Sequence, residues 1–399
     1  MPPSDDQPAR LTPDPAAQTA QLRTIALQWT RIGVIGFGGP PTHIALLRRL
    51  TVEQRRWIDE REFEDALAAC NLLPGPASTQ LAIFLARRIG GPRGAVVGGL
   101  GFIVPAVVLI VALSALFFGH APAVWVRGAG SGAGAAVAAV AVRAGAGLAR
   151  PSLERTASRA RWFAYLIMGL AAAALIGPYL VLVLLACGLV ELGVAGGWSE
   201  RSLAHGWGPV PAAAALAVAG AGGLASVAWV AFKVGALSYG GGFVIVPLMQ
   251  GDAVHTYHWM TSAQFLDAVA LGQVTPGPVV ATVAAVGYAA HRVLGATLAA
   301  AVAFAPSFGF VLLGGGQFER ISNSVRARAF LAGAGPAAVG AILGAAIPLA
   351  GALRESWQLF VLAAAAIALV IARVGIVTTL LGAGAVGAVA ALAGAPVPR

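Results

Sequence analysis

Gly38-Gly39-Pro40-Pro41, followed by Leu73-Pro74-Gly75-Pro76, returns later in the chain as Gly240-Gly241-Gly242-Phe243 followed by Thr275-Pro276-Gly277-Pro278. Adding 202 to a residue number in the first copy gives its partner in the second: Gly33 with Gly235, Leu46 with Leu248, Trp57 with Trp259, Phe63 with Phe265, Asp65 with Asp267. One residue is then lost, and an offset of 201 carries the match through Gly94 with Gly295, Pro105 with Pro306 and Gly132-Ala133-Gly134 with Gly333-Ala334-Gly335. An internal duplication of this length implies two halves of similar build.

Composition says where those halves live. With 58% hydrophobic and 11% charged residues, and a mean hydropathy of +0.81, the chain has too few polar side chains to clothe a soluble fold. Apolar runs long enough to cross about 30 Å of hydrocarbon recur from Leu22 onward, without the strict alternation of a β-barrel. The expected class is an all-α polytopic membrane protein. The net charge of +10 lies in short arginine clusters between apolar runs, as in cytoplasmic loops, so nucleic acid is not an expected partner. Cys70 and Cys187 each stand alone, which indicates neither a disulfide framework nor a metal site, and no cofactor is expected. Residues 1–21 lack a signal peptide's apolar core and read as a disordered cytoplasmic tail.

Arg48, Arg49, Arg55, Arg56 and Arg61 form one basic cluster and Arg87, Arg88 and Arg93 the next, with a single apolar run between them. A run that crossed the membrane would leave one cluster outside, against the tendency of arginines to stay in the cytoplasm. A re-entrant hairpin over 64–86, broken at Pro74-Gly75-Pro76, removes the conflict, and 23–47, broken at Gly38 to Pro41, reads the same way. Each arm of about 12 residues rises about 18 Å, enough to reach the bilayer middle. A kinked spanning helix is the alternative, because Gly and Pro are tolerated in such helices. Four spans follow, at 95–118, 128–148, 162–177 and 179–194, then an unduplicated one near 211–224. The loop 250–264 carries Asp252, His255 and His258 and no Lys or Arg, where its partner loop carries five arginines, so the second copy is expected upside down. Its later spans, at 293–315, 329–350, 357–372 and 375–393, return Arg320, Arg326, Arg328 and Arg373 to the cytoplasmic side. The count is about 13 hydrophobic units in two inverted-topology repeats with broken or re-entrant helices, divided as 1–21 tail, 22–196 first repeat, 197–225 linker span, 226–393 second repeat and 394–399 tail.

Inverted repeats with broken helices are the build of secondary transporters, with the site near the midplane between the halves. The breaks begin new half-helices at Thr42-His43, Ala77-Ser78-Thr79, Phe243-Val244 and Val279-Val280. Converging helix starts favour an anion. Gly38, Gly39, Gly75, Gly240, Gly241 and Gly277 at the breaks belong to the same candidate set. Asn71 and Gln273 are repeat partners, and with Thr79, Gln80, Thr275 and Thr282 they could bond substrate oxygens or satisfy backbone freed by the breaks. Arg31 and Lys233 are also partners, read either as midplane charges or as interface anchors. His43 is a ligand or a structural histidine, whereas His255 and His258 are expected in solvent. Asp65 and Asp267 read as helix caps, with proton coupling through them or Glu64 as the sharper option. No Walker A, His-Glu-x-x-His, nucleophile elbow or Cys-x-x-Cys is present.

At Phe37-Gly38-Gly39-Pro40, Leu73-Pro74-Gly75-Pro76, Tyr239-Gly240-Gly241-Gly242 and Thr275-Pro276-Gly277-Pro278, together with the Trp57 and Phe63 region and its echo at Trp259 and Phe265, the chain resembles the chromate transporter family in its long, two-half form. The resemblance covers nearly all of the chain after the tail, with Gly242 standing where the first half has Pro40. It implies chromate export across a bacterial-type inner membrane, with a cytoplasmic N-terminus and driven by the membrane potential or a proton gradient. Its expected partners are chromate, sulfate as a competitor, the bilayer, and a second copy of the chain in a homodimer. The residues alone reach "oxyanion carrier", which leaves sulfate uptake open. They also leave open an intramembrane enzyme acting on a lipid phosphate, although no paired nucleophile and base is recognisable.

Overall fold

The computed structural model describes residues 15–73, 75–119, 122–154, 156, 158–175, 180–195, 223–238, 243–314 and 324–398. The expected linker span up to residue 222, Pro74, Gly240 and Gly241 lie outside them. Every regular element among the described residues is helical. The first half is α1 (Pro15–Ile35), α2 (Pro40–Arg48), α3 (Glu60–Leu72), α4 (Ala77–Phe117), α5 (Val124–Glu154), α6 (Arg159–Leu175) and α7 (Leu180–Val194). The second is α8 (Leu224–Leu237), α9 (Ile245–Gln250), α10 (Ser262–Val274), α11 (Val283–Gly314), α12 (Val325–Gly351), α13 (Ser356–Val370) and α14 (Ile376–Leu392). α1 begins at Pro15, so the helix reaches back into the segment expected to be tail.

The duplication extends to backbone irregularities. α2 ends in a π-helical turn, Arg49–Gln54, and α9 in its 202-offset partner, Gly251–Thr256. Arg56 and His258, the next partners, share left-handed φ values of 50° and 52°. The stretch expected as a loop after Gln250 is therefore helical for its first turn, and His255 and His258 are exposed on it.

Both hairpins form, and a third reversal follows. At Gly38 and Gly39, φ values of 101° and 76° suit only glycine; Pro40 then starts α2 with the φ that a first helical turn needs. α4 is two arms joined at Gly90-Gly91, where Gly91 has φ 64°. Along α1, Gln21 Nε2 donates to Ile89 O and Trp29 Nε1 to Ala82 O, both at 2.8 Å, so the first arm runs against α1. Ile25 meets Gly94 and Gly33 meets Phe102, so the second arm, 92–117, runs with α1. The turn after α1 is thus level with the middle of a full-length span, as a re-entrant hairpin requires. α11, preceded by a 3-10 turn Val279–Thr282, reverses likewise at His291-Arg292, with φ 51° at Arg292.

Ion pairs tie the hairpin ends to one face. Arg48 bonds Glu60 at 2.7 Å and Glu53 at 3.4 Å, Arg88 pairs with Glu62, and Arg161 bonds Glu191 at 2.9 Å. The ends of α2 and α7, the starts of α3 and α6 and the first α4 reversal therefore share one basic end, which excludes a kinked span at residues 64–86. Helices stand within a few residues of each later expected span; among the described residues α4, α5, α11 and α12 are long and apolar enough to cross a membrane, whereas α6, α7, α13 and α14 have only 15 to 17 residues. Their close seams use small residues: Gly132 packs on the Ala383 carbonyl of α14, and its partner Gly333 on the Cys187 carbonyl of α7. Leu313, Phe360 and Leu182 are exposed on the outer surface, as bilayer-facing side chains are.

The inverted arrangement makes a labelling prediction. Cysteine at Gln54 and at Arg93 should react with an impermeant thiol reagent only from the cytoplasmic face, and cysteine at Thr256 only from the other. All three positions are exposed, whereas at Gly90 a Cβ would press on Ile25 Cδ1 at 2.6 Å. Opposite sidedness at 54 and 93 would replace the hairpin by a crossing helix.

Candidate functional site

The breaks of the two halves meet in the middle. A Cβ at Gly75 would stand 3.4 Å from Gly235 O, and one at its partner Gly277 would stand 3.4 Å from Gly33 O, so one contact is made twice across a pseudo-two-fold axis. The Gly277 N–H also donates to Gly36 O at 3.1 Å. Gly75 and Gly277 hold φ values of 117° and 97°, a backbone that L side chains resist.

This meeting point lines one wall of a cavity of about 890 Å³. Gly38, Gly39, Asn71, Gly75, Phe243, Gln273, Thr275, Gly277 and Val279 all face it. Ala77 and Val279 follow Pro76 and Pro278 as first helical residues, so their N–H groups have no intrahelical acceptor. Gln273, 7% exposed, presents an Nε2 without a hydrogen-bond partner among the described residues. Among the described residues the lining contains three arginines, Arg143, Arg328 and Arg373, and no Asp or Glu. Arg143 comes from α5, Arg328 from the start of α12 and Arg373 from the turn before α14, all at the basic end with Ser152 and Thr156.

Other expected site residues lie elsewhere. Arg31 is exposed on α1, on the face away from Trp29 and Gly33 that pack on α4, and does not line the cavity. Lys233 does not line it either: its Nζ lies 2.5 Å from Asp252 Oδ2, in a pair 13% and 5% exposed, with the Trp229 ring 5.5 Å away. Thr42 turns back towards Gly38, and its N–H bonds Gly39 O at 3.1 Å. With prolines at the first two positions of α2, that helix start offers fewer donors than expected. Both ring nitrogens of His43 face protein partners and the residue does not line the cavity: Nε2 meets Gly36 O at 2.9 Å and Nδ1 faces Ser78 Oγ at 3.4 Å. A carbonyl needs a donor, so the proton is assigned to Nε2, and Nδ1 accepts from Ser78. Thr79 is buried off the lining, and the Gln80 amide packs beside Gly75.

The helix-capping reading of the aspartates is overturned. Asp59 caps α3, its Oδ1 accepting from Glu62 N at 2.7 Å, and Thr261 caps α10 in a capping box with Gln264. Glu64 and Asp65 are exposed on α3, and Asp267 lies in the second turn of α10.

Missed from sequence were the three cavity arginines and Asp252. Asp252 had a signal, because the repeat puts an acid where the first half has Leu50. The arginines had only the loop signal of positive charge, which does not say what a loop covers.

Helices broken in pairs, two halves inverted about an in-plane axis and a cavity at their junction define a polytopic membrane protein of the inverted-repeat class. The chain belongs to the chromate transporter family, whose model matches residues 23–192 and 225–388. It is 32% identical to the chromate transport protein of Cupriavidus metallidurans over 339 residues, 84% of each chain. It is also 32% identical to that of Pseudomonas aeruginosa, over 82% of this chain and 81% of the other. A probable chromate transport protein of Synechococcus elongatus is 29% identical over 82% of this chain. No solved structure matches the chain.

Proposed function

We propose that the protein exports chromate, taking the dianion from the cytoplasm into the cavity at the basic end and holding it against the helix breaks. The carrying observation is the lining, which among the described residues has three arginines and no carboxylate beside free helix-start N–H groups. Arginines at the mouth concentrate anions, and Ala77 N–H, Val279 N–H, the Gln273 amide and Asn71 supply fixed donors deeper in. The basic end faces the cytoplasm of a bacterial-type inner membrane, with the N-terminus on that side. The cavity opens there, as loading for export requires.

An inside-negative potential favours the outward move of a dianion by about 4.6 kcal/mol per 100 mV, twice the single-charge value. Export can therefore run on the potential alone. Glu64, Asp65 and Asp267, the proton-coupling candidates, do not line the cavity, which supports this simpler driving force.

In everted vesicles, saturable chromate accumulation is the expected result. Chromate and sulfate are both tetrahedral dianions, so excess sulfate tests selectivity: equal competition would replace the chromate reading by a general oxyanion carrier. Absence of flux, with phosphate released from lipid, would replace transport altogether.

A further inference from the structure

A second, smaller cavity of about 470 Å³ lies at the end opposite the basic one, between α10 and α5. The large cavity lies between their repeat partners, α3 and α12. α10 packs along α5, whereas α3 barely touches α12. The molecule therefore contains one seam twice, once open and once shut.

The two seams present partner arginines. Arg328 lines the open cavity, and Arg127, its partner at the 201 offset, lines the shut one. Arg127 Nε is buried and has no hydrogen-bond partner among the described residues. A buried guanidinium N–H without an acceptor is costly and uncommon. The aspartates differ in the opposite sense. Asp267 faces the shut pocket, its Oδ1 2.8 Å from where a Cβ of Gly130 would stand, so that only glycine leaves it room. Its partner Asp65 is exposed and absent from the lining of the open cavity. The open seam thus has its arginine in the cavity lining and its aspartate outside it, whereas the shut seam has both in the lining.

We propose that Arg127 is the outer-face counterpart of Arg328, an anion-loading residue for the same tetrahedral dianion, and that Asp267 guards it while the outer seam is shut. The assignment rests on the oxyanion-carrier reading. Exchange of conformation between the halves opens α10 from α5 and closes α3 onto α12, in the alternating-access manner of inverted repeats. A carboxylate lining the same pocket as the arginine repels a dianion, and its withdrawal from the lining, as Asp65 stands outside the open cavity, leaves the guanidinium to one.

A carrier runs in either direction down an imposed gradient, so the test is the KM for chromate at each face, in right-side-out and everted vesicles. Arg127→Gln should raise the ratio of outer-face to inner-face KM about tenfold, the equivalent of one charged hydrogen bond. Arg328→Gln should lower that ratio by about as much, and Asp267→Asn should lower it below wild type. Arg328 is exposed, so its variant tests the pair even where Arg127→Gln does not fold. An unchanged ratio in either arginine variant overturns the proposal, and a raised ratio in Asp267→Asn overturns the guarding role. A wild type without chromate flux at either face defeats the substrate reading instead, and the same ratios measured with radiolabelled sulfate then decide the arginine pair on their own.

Discussion

Lys233→Met is expected to destabilise the folded protein by about 3–5 kcal/mol, the usual cost of removing one partner from a buried pair. Asp252 would be left buried without its cation, since it is 5% exposed and Lys233 Nζ is 2.5 Å from its carboxylate. Asp252→Leu should be milder, because the lysine keeps the Trp229 ring and a long stem with which to reach solvent. The double variant Lys233→Met/Asp252→Leu should recover most of the loss, since an apolar pair of similar volume often does as well as a buried ion pair. Leucine is already the residue at this place in the first half, as Leu50. Thermal unfolding of the three variants in detergent checks this. A single variant as stable as wild type, or a double variant no better than Lys233→Met, would remove the pair from the stability argument.

Gly277→Ala should cut chromate flux at least tenfold per folded molecule. An alanine there would hold φ near 97° at a cost of about 1–2 kcal/mol, and its Cβ would meet Ala106 Cβ at 2.7 Å, adding about 1–3 kcal/mol of overpacking. Both act where the Gly277 N–H bonds Gly36 O, so the junction of the halves has to shift. Ala106→Gly in the same chain should restore only part of the flux, since it relieves the contact and not the φ strain. Wild-type KM and rate in Gly277→Ala would show that the junction does not shape the transport path.

Much of the architecture was readable because it is carried by local chemistry. Paired Gly and Pro break helices wherever they stand, and arginine clusters on both sides of one apolar run demand a return to the same face. Hence the hairpins and the span limits agree closely with the helices. What could not be read was which separated residues meet. Arg143, Arg328 and Arg373 reach one cavity from α5, α12 and the turn before α14, and only the packing of the halves brings them together. Lys233 reads from sequence as a midplane charge or an interface anchor and not as half of an ion pair, because Asp252 lies 19 positions away on the next hairpin arm. The caps were misassigned for a simpler reason. Asp65 matches Asp267 in the repeat, but both helices start earlier, at Glu60 and Ser262, where Asp59 and Thr261 already supply the oxygen.

The doubled contact at the junction, Gly75 beside Gly235 O and Gly277 beside Gly33 O, has a bearing on ancestry. Each half covers backbone groups that the other exposes at its breaks, deep in a solvent that offers hydrocarbon and no hydrogen bonds. A chain with only one half would be left with those groups bare. It would need a second copy of itself, threaded through the bilayer the other way up, before either became a finished protein.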